Sequence, residues 1–147
     1  MKKVIAVNAC LLLIMFLTAG MMSKPETDSS TAKKLISERI SILNSYYSGE
    51  TETDDAESQL ELIESGRLLR EDRALMKAFE QTDVERIPEY KVEIIECETM
   101  QCGIVKGTAE ISYEMEGVQG RYRQSAEYYF TGDKEDGQIK LTQLKKI

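Results

Sequence analysis

Residues 111–126 read ISYEMEGVQGRYRQSA, and their pattern indicates most clearly how this chain folds. Apolar and charged residues alternate on both sides of its Gly-Val-Gln-Gly centre, and this alternation is typical of half-buried β-strands. If the stretch folds back at that centre, opposite charges meet on one face and apolar side chains share the other. The opposed pairs are Glu116 with Arg121, Glu114 with Arg123, Met115 with Tyr122 and Ile111 with Ala126. The sequence therefore predicts an antiparallel hairpin with one covered face.

The residues before this hairpin predict another strand of the same sheet. After Pro88 the spacing of apolar residues changes from a helical period to the alternation of a strand. Folding this strand back so that Cys97 faces Cys102 places apolar residues opposite each other. The further pairs are Ile95 with Ile104, Ile94 with Val105 and Tyr90 with Ala109. With a polar turn at 132–137 and a last strand from Ile139, the chain is predicted to form an antiparallel meander.

Amphipathic helices are predicted upstream of this sheet. Apolar residues recur at helical spacing, and their stripe stops at Ser48-Gly49, where glycine can adopt the left-handed cap conformation. The stripe consists of Leu35, Ile36, Ile40, Ile42, Leu43, Tyr46 and Tyr47. Helices of this kind are expected to cover the apolar face of a curved sheet, which gives an α+β fold.

A second helical region follows. Asp54-Asp-Ala-Glu57 resembles a capping box with aspartate as the N-cap. Gly66 predicts a break in the region, because glycine lowers helix propensity by about 1 kcal/mol. Charged residues near the break are spaced by three and four positions, which is typical of a solvated face with local ion pairs. These residues are Glu64, Arg67, Arg70, Glu71 and Arg73.

Residues 1–22 are predicted to be a membrane-insertion signal that forms a hydrophobic helix. Lys2-Lys3 precedes an uncharged run, residues 4–22, close to the roughly 20 residues that a helix needs to cross a bilayer. Because positive residues stay in the cytoplasm, Ser23 onward is expected outside. Two outcomes stay open: a retained single-pass anchor in the bilayer, or cleavage near Gly20 and secretion.

The exported part begins with a short polar segment. Residues 23–30 contain Pro25 and lack apolar periodicity, so they are predicted to be a flexible linker. The chain has 147 residues, which leaves about one domain after the N-terminal segment is set aside. That domain is expected to span residues 31–147.

The composition excludes several classes of function. The chain has no histidine, so the commonest general base and the commonest metal ligand are missing. Its formal net charge is −7, and an acidic surface repels phosphate backbones. The closest basic group, Lys140, Lys145 and Lys146, is typical of a solvated strand end. Since the predicted covered row of the sheet also contains no acid, we expect no catalytic residue, metal, cofactor or nucleic-acid partner.

Cys97 and Cys102 form the most specific pair in the chain. In the predicted register they stand opposite each other, within the roughly 5.5 Å Cα separation that a disulfide accepts. An exported protein also meets oxidising conditions. A structural disulfide, two free thiols, and a redox or metal site are the alternatives; without histidine or a second cysteine pair, a zinc site fits poorly.

Two further groups of residues are candidates for a binding site. Tyr113, Tyr122 and Tyr128 lie on the predicted covered row, where they either pack in the core or line a pocket. Ile95 and Ile104 lie on the outer face, where alternation predicts polar residues. A partner, or the chain's own loop or helix, would cover such an apolar patch.

A few short segments allow a comparison with a known family. They are the helix end Tyr46-Tyr47-Ser48-Gly49, the strand Tyr90-Lys-Val-Glu-Ile-Ile95 and the segment Gly137-Gln-Ile-Lys-Leu141. In this order they resemble the NTF2-like (SnoaL-like, cystatin-like) α+β domains of bacterial exported and membrane-tethered proteins, over about residues 31–147. The resemblance implies a sheet that wraps a helix into a cone, which in enzyme members holds a pocket with Asp, His or Tyr. No catalytic residue matches here.

These observations predict a tethered domain outside the bacterial cytoplasmic membrane with a non-catalytic binding or scaffolding role. Its expected partners are the lipid bilayer, through residues 4–22, and another protein or envelope component. One alternative is a cone-shaped pocket that binds a small ligand or is weakly catalytic. Another is an accessory subunit of an envelope secretion or conjugation complex.

Overall fold

A computed structural model of the chain describes residues 27–79, 86–117 and 119–147. Within them, helices come first and strands follow, which confirms the α+β class. The helices are α1 (Asp28–Tyr47), α2 (Thr53–Ile63) and α3 (Gly66–Ala78). The strands are β1 (Arg86–Thr99), β2 (Ile104–Gly117), β3 (Gly120–Glu135) and β4 (Gln138–Lys146).

The strands form one antiparallel sheet in the order β1-β2-β3-β4, which is the predicted meander. The predicted register of the β2–β3 hairpin is confirmed at every pair. Glu116 lies opposite Arg121, Glu114 opposite Arg123, Met115 opposite Tyr122 and Ile111 opposite Ala126.

The predicted register of the β1–β2 hairpin is wrong. Ile94 pairs with Ala109 instead of Val105, and Cys97 pairs with Gly107 instead of Cys102. Strand β1 continues past the predicted tip to Thr99, and the chain reverses at residues 100–103, where Gly103 has a φ of 83°. A bulge between Ile94 and Glu96 shifts the register again and turns Cys97 toward the covered face.

Helix α1 begins earlier than the sequence pattern predicts. The Thr27 side chain accepts a hydrogen bond from the Ser30 amide at 3.2 Å, so the first turn includes Asp28 and lies within the predicted linker. Asp28 then accepts hydrogen bonds from Thr99 at 2.5 Å and Lys134 at 2.7 Å. These bonds fix the start of the helix to the end of the sheet that carries the β1–β2 turn.

The other end of α1 lies against the start of β1. Asn44 and Ile87 exchange two hydrogen bonds, of 3.2 and 3.1 Å, between the amide side chain and the backbone. The helix ends at Tyr47 and Gly49 follows with a φ of 77°, as the Ser48-Gly49 signal predicts. Helix α1 therefore runs antiparallel along β1 from Thr99 to Ile87.

The second helical region divides in two, as Gly66 predicts. Helix α2 ends at Ile63, and α3 begins at Gly66 with a φ of 61°. The predicted capping box is wrong, because α2 begins at Thr53 and no side-chain hydrogen bond caps its start. Between the helices, Glu64 forms a parallel bridge with Leu141, and the Ser65 amide donates to the Leu141 carbonyl at 2.9 Å. The junction is thereby fixed to β4.

The core lies between the helices and one face of the sheet. Its buried apolar residues include Ile36 of α1, Leu60 of α2, Met76 of α3, and Phe130 and Leu141 of the sheet. The predicted signal, residues 1–22, lies outside the described residues. No helix within the described ranges has the length and apolarity to cross a membrane.

Candidate binding cleft and buried ion network

A cleft of about 250 Å³ lies between α1 and the helix-covered face of the sheet. Strand alternation directs every second residue of β2 into it, while successive residues of α1 form the opposite wall. The lining residues are Arg39, Ile40, Ile87, Tyr90, Ile111, Tyr113, Met115, Tyr128 and Leu144. The cleft is thus mostly apolar, with tyrosine hydroxyls and one guanidinium as its polar groups.

Tyrosines set the polarity of the cleft. Tyr90, at its rim, donates a hydrogen bond to the Ser37 carbonyl at 3.0 Å. Burial, and then the neighbouring Tyr113, raise the pKa of Tyr128 above its ordinary value. The Tyr128 hydroxyl therefore offers a donor and an acceptor to the cleft without a charge at neutral pH.

Arg39 connects the cleft to a buried ion network. Its guanidinium donates to both oxygens of Asp72, through Nε to Oδ2 at 2.8 Å and through Nη2 to Oδ1 at 2.6 Å. Arg39 Nε also lies 2.8 Å from Glu64 Oε1. Glu64 and Asp72 are buried, with exposed fractions of 1% and 2%. One cation from α1 therefore faces two carboxyl groups, one from α3 and one from the α2–α3 junction.

Glu64 is the unsatisfied member of this network. The Nε–H of Arg39 is directed at Asp72, so Glu64 Oε1 receives no well-aligned hydrogen bond from it, although the two atoms are 2.8 Å apart. Burial is the main reason that the pKa of Glu64 is raised, and the negative charge of Asp72 is the second. Although the positive charge of Arg39 lowers it, the pKa reaches about 8. At neutral pH the Glu64 carboxyl is therefore mostly protonated, and the network carries little net charge.

The prediction that Glu64 lies on a solvated face is wrong, although Arg67 and Glu71 from the same cluster do form an exposed ion pair. One signal could have indicated a buried acid. Asp72 lies midway between Leu68 and Met76 at helical spacing, which places it inside an apolar stripe.

The predicted tyrosine group is only partly brought together. Tyr113 and Tyr128 line the cleft. Tyr122 is 44% exposed and donates to Met115 Sδ at 3.3 Å, so it lies beyond the part of the sheet that α1 covers.

The cysteines are separate in the structure. Both are free thiols, with Cys97 half-buried opposite Gly107 and Cys102 exposed in the turn. Burial, and then the charge of Asp28, raise the pKa of Cys97. The disulfide was predicted from a register that placed Cys97 opposite Cys102, and the observed register does not do so. Among the described residues, no group of three or more His, Cys, Asp or Glu could hold a metal ion.

Ile95 and Ile104 do not form the predicted pair. Ile104 lies opposite Asp133, and Ile95 lies at the bulge of β1. Both side chains are exposed, at 51% for Ile95 and 36% for Ile104. They therefore do not face each other across β1 and β2, and their role as a partner contact stays a prediction.

Comparison with known proteins adds a fold likeness. No protein-family model and no curated protein matches the chain. Among solved structures, the crystal structure of the intermembrane space region of chloroplast protein ARC6 is similar, with a TM-score of 0.60 and 16% sequence identity. The match covers 84% of this chain and 98% of that chain. At this identity the likeness shows a shared fold alone, and the NTF2-like resemblance stays a prediction.

Proposed function

We propose that this chain is a membrane-tethered, extracytoplasmic domain of the bacterial cell envelope that binds another protein without catalysing a reaction. Its recognition site is the cleft beside Arg39, which receives an apolar side chain of the partner. The volume of about 250 Å³ carries this proposal. Clefts that enclose small ligands usually measure ~300–1,000 Å³, whereas a smaller apolar cleft fits a protruding side chain.

The buried acids support a non-catalytic role. A general acid or base must come within hydrogen-bond reach of a substrate. Glu64 and Asp72 are almost completely buried, and Asp72 is already held by two bonds from Arg39. The network therefore serves to position Arg39 at the wall of the cleft.

Residues 1–22 support tethering, with secretion after cleavage near Gly20 as the alternative outcome. The similar ARC6 structure is of a region that lies in an intermembrane space. A domain of the same fold can therefore work in a compartment between membranes.

A small-ligand or weakly catalytic pocket is the second candidate, because Tyr113 and Tyr128 do line one cleft. The cleft itself, at about 250 Å³, is smaller than a usual small-ligand site, but a larger groove of about 510 Å³ is also lined by Tyr90 and Tyr113, so this candidate is tested beside the first. An accessory role in a secretion or conjugation complex is a narrower form of the leading proposal, in which the partner is a subunit of that complex.

Site-specific photocrosslinking in cells tests the proposal. Tyr90 is at the rim of the cleft and 36% exposed, so a benzoylphenylalanine there reports on an occupant. Tyr129 is the matched control, since it lines a groove on the opposite face with Thr108. We expect a discrete crosslinked protein from position 90, its loss when Ile40→Trp fills the cleft, and none from position 129.

Equal products from positions 90 and 129, or none from either, would contradict the proposal. A small molecule retained by the purified protein in native mass spectrometry, and released by Ile40→Trp, would favour the ligand-pocket alternative. N-terminal labelling of the cellular protein tests tethering: Met1 indicates an anchor, and a start near Met21 indicates cleavage.

A further inference from the structure

Arg39 keeps unused hydrogen-bond donors at the cleft. A guanidinium has five N–H groups, and Arg39 directs the one on Nε and one on Nη2 at Asp72, while Nη1 donates to no described residue. Of the three network residues only Arg39 lines the cleft. Its side chain is 17% exposed, whereas those of Glu64 and Asp72 are 0% and 2% exposed. An occupant of the cleft can therefore reach the edge of the guanidinium that Asp72 does not cover.

A tyrosine hydroxyl accompanies this donor. Burial, and then Tyr113, raise the pKa of Tyr128, whereas the positive charge of Arg39 lowers it, so the guanidinium acts on the environment of that hydroxyl. Most of the other side chains that line the cleft are apolar, and these are Ile40, Ile87, Ile111, Met115 and Leu144. The cleft therefore combines an apolar wall with a small polar group of donors and acceptors.

The charge of the network determines which polar group fits beside Arg39. Asp72 compensates the charge of Arg39, and Glu64 is mostly protonated at neutral pH, so little net charge faces the cleft. A carboxylate that entered would lose its hydration without gaining an uncompensated cation. An ammonium group would meet a positive donor, and a hydrocarbon would leave the N–H groups of Nη1 without water or a partner. An uncharged hydrogen-bond acceptor avoids all three costs.

We propose that the side chain which enters the cleft is a tyrosine of the protein partner, with its ring against the apolar wall and its hydroxyl oxygen accepting from Nη1 of Arg39. This inference rests on the proposed function and deepens it by naming the residue that is recognised. Tyrosine has an apolar body and one uncharged polar tip, and it is enriched among the residues that dominate interface energetics. A glutamine has a comparable tip but loses more rotamer freedom on burial.

A matched series of small probes tests this chemistry before the partner is known. Para-cresol reproduces the tyrosine side chain, toluene lacks its hydroxyl, and para-toluate carries a carboxylate in place of the hydroxyl. Titrated at neutral pH into isotopically labelled protein, para-cresol should shift the methyl signals of Ile40 and Ile111. Its dissociation constant should be about fivefold lower than that of toluene, because it satisfies the donors of Nη1. Para-toluate should bind more weakly than toluene.

The signals of Arg39 itself identify the donor in the unaltered protein. With arginine labelled at its side-chain nitrogens, para-cresol should shift the Nη signals of Arg39, and toluene should leave them almost in place. Arg67 is the matched control, since its guanidinium is exposed in an ion pair with Glu71 and its signals should not move with either probe. Ile40→Trp, which fills the cleft, should abolish the binding of both probes.

Equal binding of para-cresol and toluene, tighter binding of para-toluate, unshifted Arg39 signals, or no binding of para-cresol at about 10 mM would overturn the inference. Mapping the crosslink from position 90 separates this failure from that of the proposed function. If the captured segment of the partner contains no tyrosine, the inference fails and the proposed function stands. If it contains a tyrosine whose change to phenylalanine lowers the capture, both are supported.

Discussion

Arg39 and Asp72 form a two-bond contact, of 2.8 and 2.6 Å, that joins α1 to α3 beneath the cleft. Paired bonds between a guanidinium and a carboxylate fix orientation as well as distance. Because the same guanidinium lines the cleft, the buried network holds the cleft wall in place.

Replacing Arg39 by methionine should strongly destabilise the fold. The change keeps an unbranched side chain but leaves Asp72 buried without its cation, which typically costs ~3–5 kcal/mol. Urea denaturation of the purified protein measures the effect. The control is Arg67→Met, which removes an exposed pair and should cost less than about 1 kcal/mol. Similar losses for the two variants would show that the buried bonds contribute little.

Stability should fall as the pH rises from about 4.5 to about 8. Burial and the Asp72 charge raise the pKa of Glu64 to about 8, while the unfolded group keeps its ordinary value of 4.5. Between these values the folded state binds more protons, so the free energy of unfolding decreases by up to ~1.4 kcal/mol per pH unit.

Glu64→Gln tests the assignment of that pH dependence. The variant should remove most of the slope and be more stable than the natural chain above pH 8, because the amide never ionises. Glu71→Gln is the control, since Glu71 is exposed in its pair with Arg67. A slope unchanged by Glu64→Gln would assign the pH dependence to other groups.

Gly107→Ala should disrupt the sheet. A Cβ at this position would overlap the Glu96 carbonyl oxygen and lie 2.8 Å from Cζ of Phe130. Backbone must move to make room, at a cost of about 3 kcal/mol or more. Thermal or urea unfolding measures it, with Thr108→Ala on the opposite face as control. A fully stable Gly107→Ala protein would mean that β1 and β2 pair differently at this point.

The thiols of Cys97 and Cys102 should react with iodoacetamide without prior reduction, and at different rates. Cys102 is exposed in a turn, whereas Cys97 is half-buried and burial raises its pKa. We expect Cys102 to be modified first, as followed by peptide mass mapping. Protein isolated from cells with both residues resistant to alkylation until reduced would indicate a disulfide instead.

The β2–β3 register was predictable because its charges pair in only one alignment around the Gly117-Val-Gln-Gly120 turn. The β1–β2 register was not. Moving Ile94 from Val105 to Ala109 is an even shift, which keeps every side chain on its face, so the apolar pattern fits both alignments. The alternating pattern also gives no sign of the bulge that turns Cys97 inward.

The buried network was missed for a different reason. Arg39, Glu64 and Asp72 come from separate segments of the chain. Each is a charged residue, which is usually expected on a solvated helix face. Their burial arises only when the α2–α3 junction bonds to Leu141 and brings the acids beneath α1. The local spacing of apolar residues indicates such tertiary packing only weakly. The position of Asp72 between Leu68 and Met76 is the example here.

The hydrogen bonds that Asp28 accepts from Thr99 and Lys134 fix the point at which the proposed membrane tether joins the folded domain. They place the start of α1 at one end of the sheet, while the cleft lies toward the other. The helix has 20 residues and is therefore about 30 Å long. The five residues between Met22 and Asp28 can extend no further than ~18 Å. In an anchored domain the start of α1 would therefore stay close to the bilayer, and the cleft could lie up to about 30 Å farther from it.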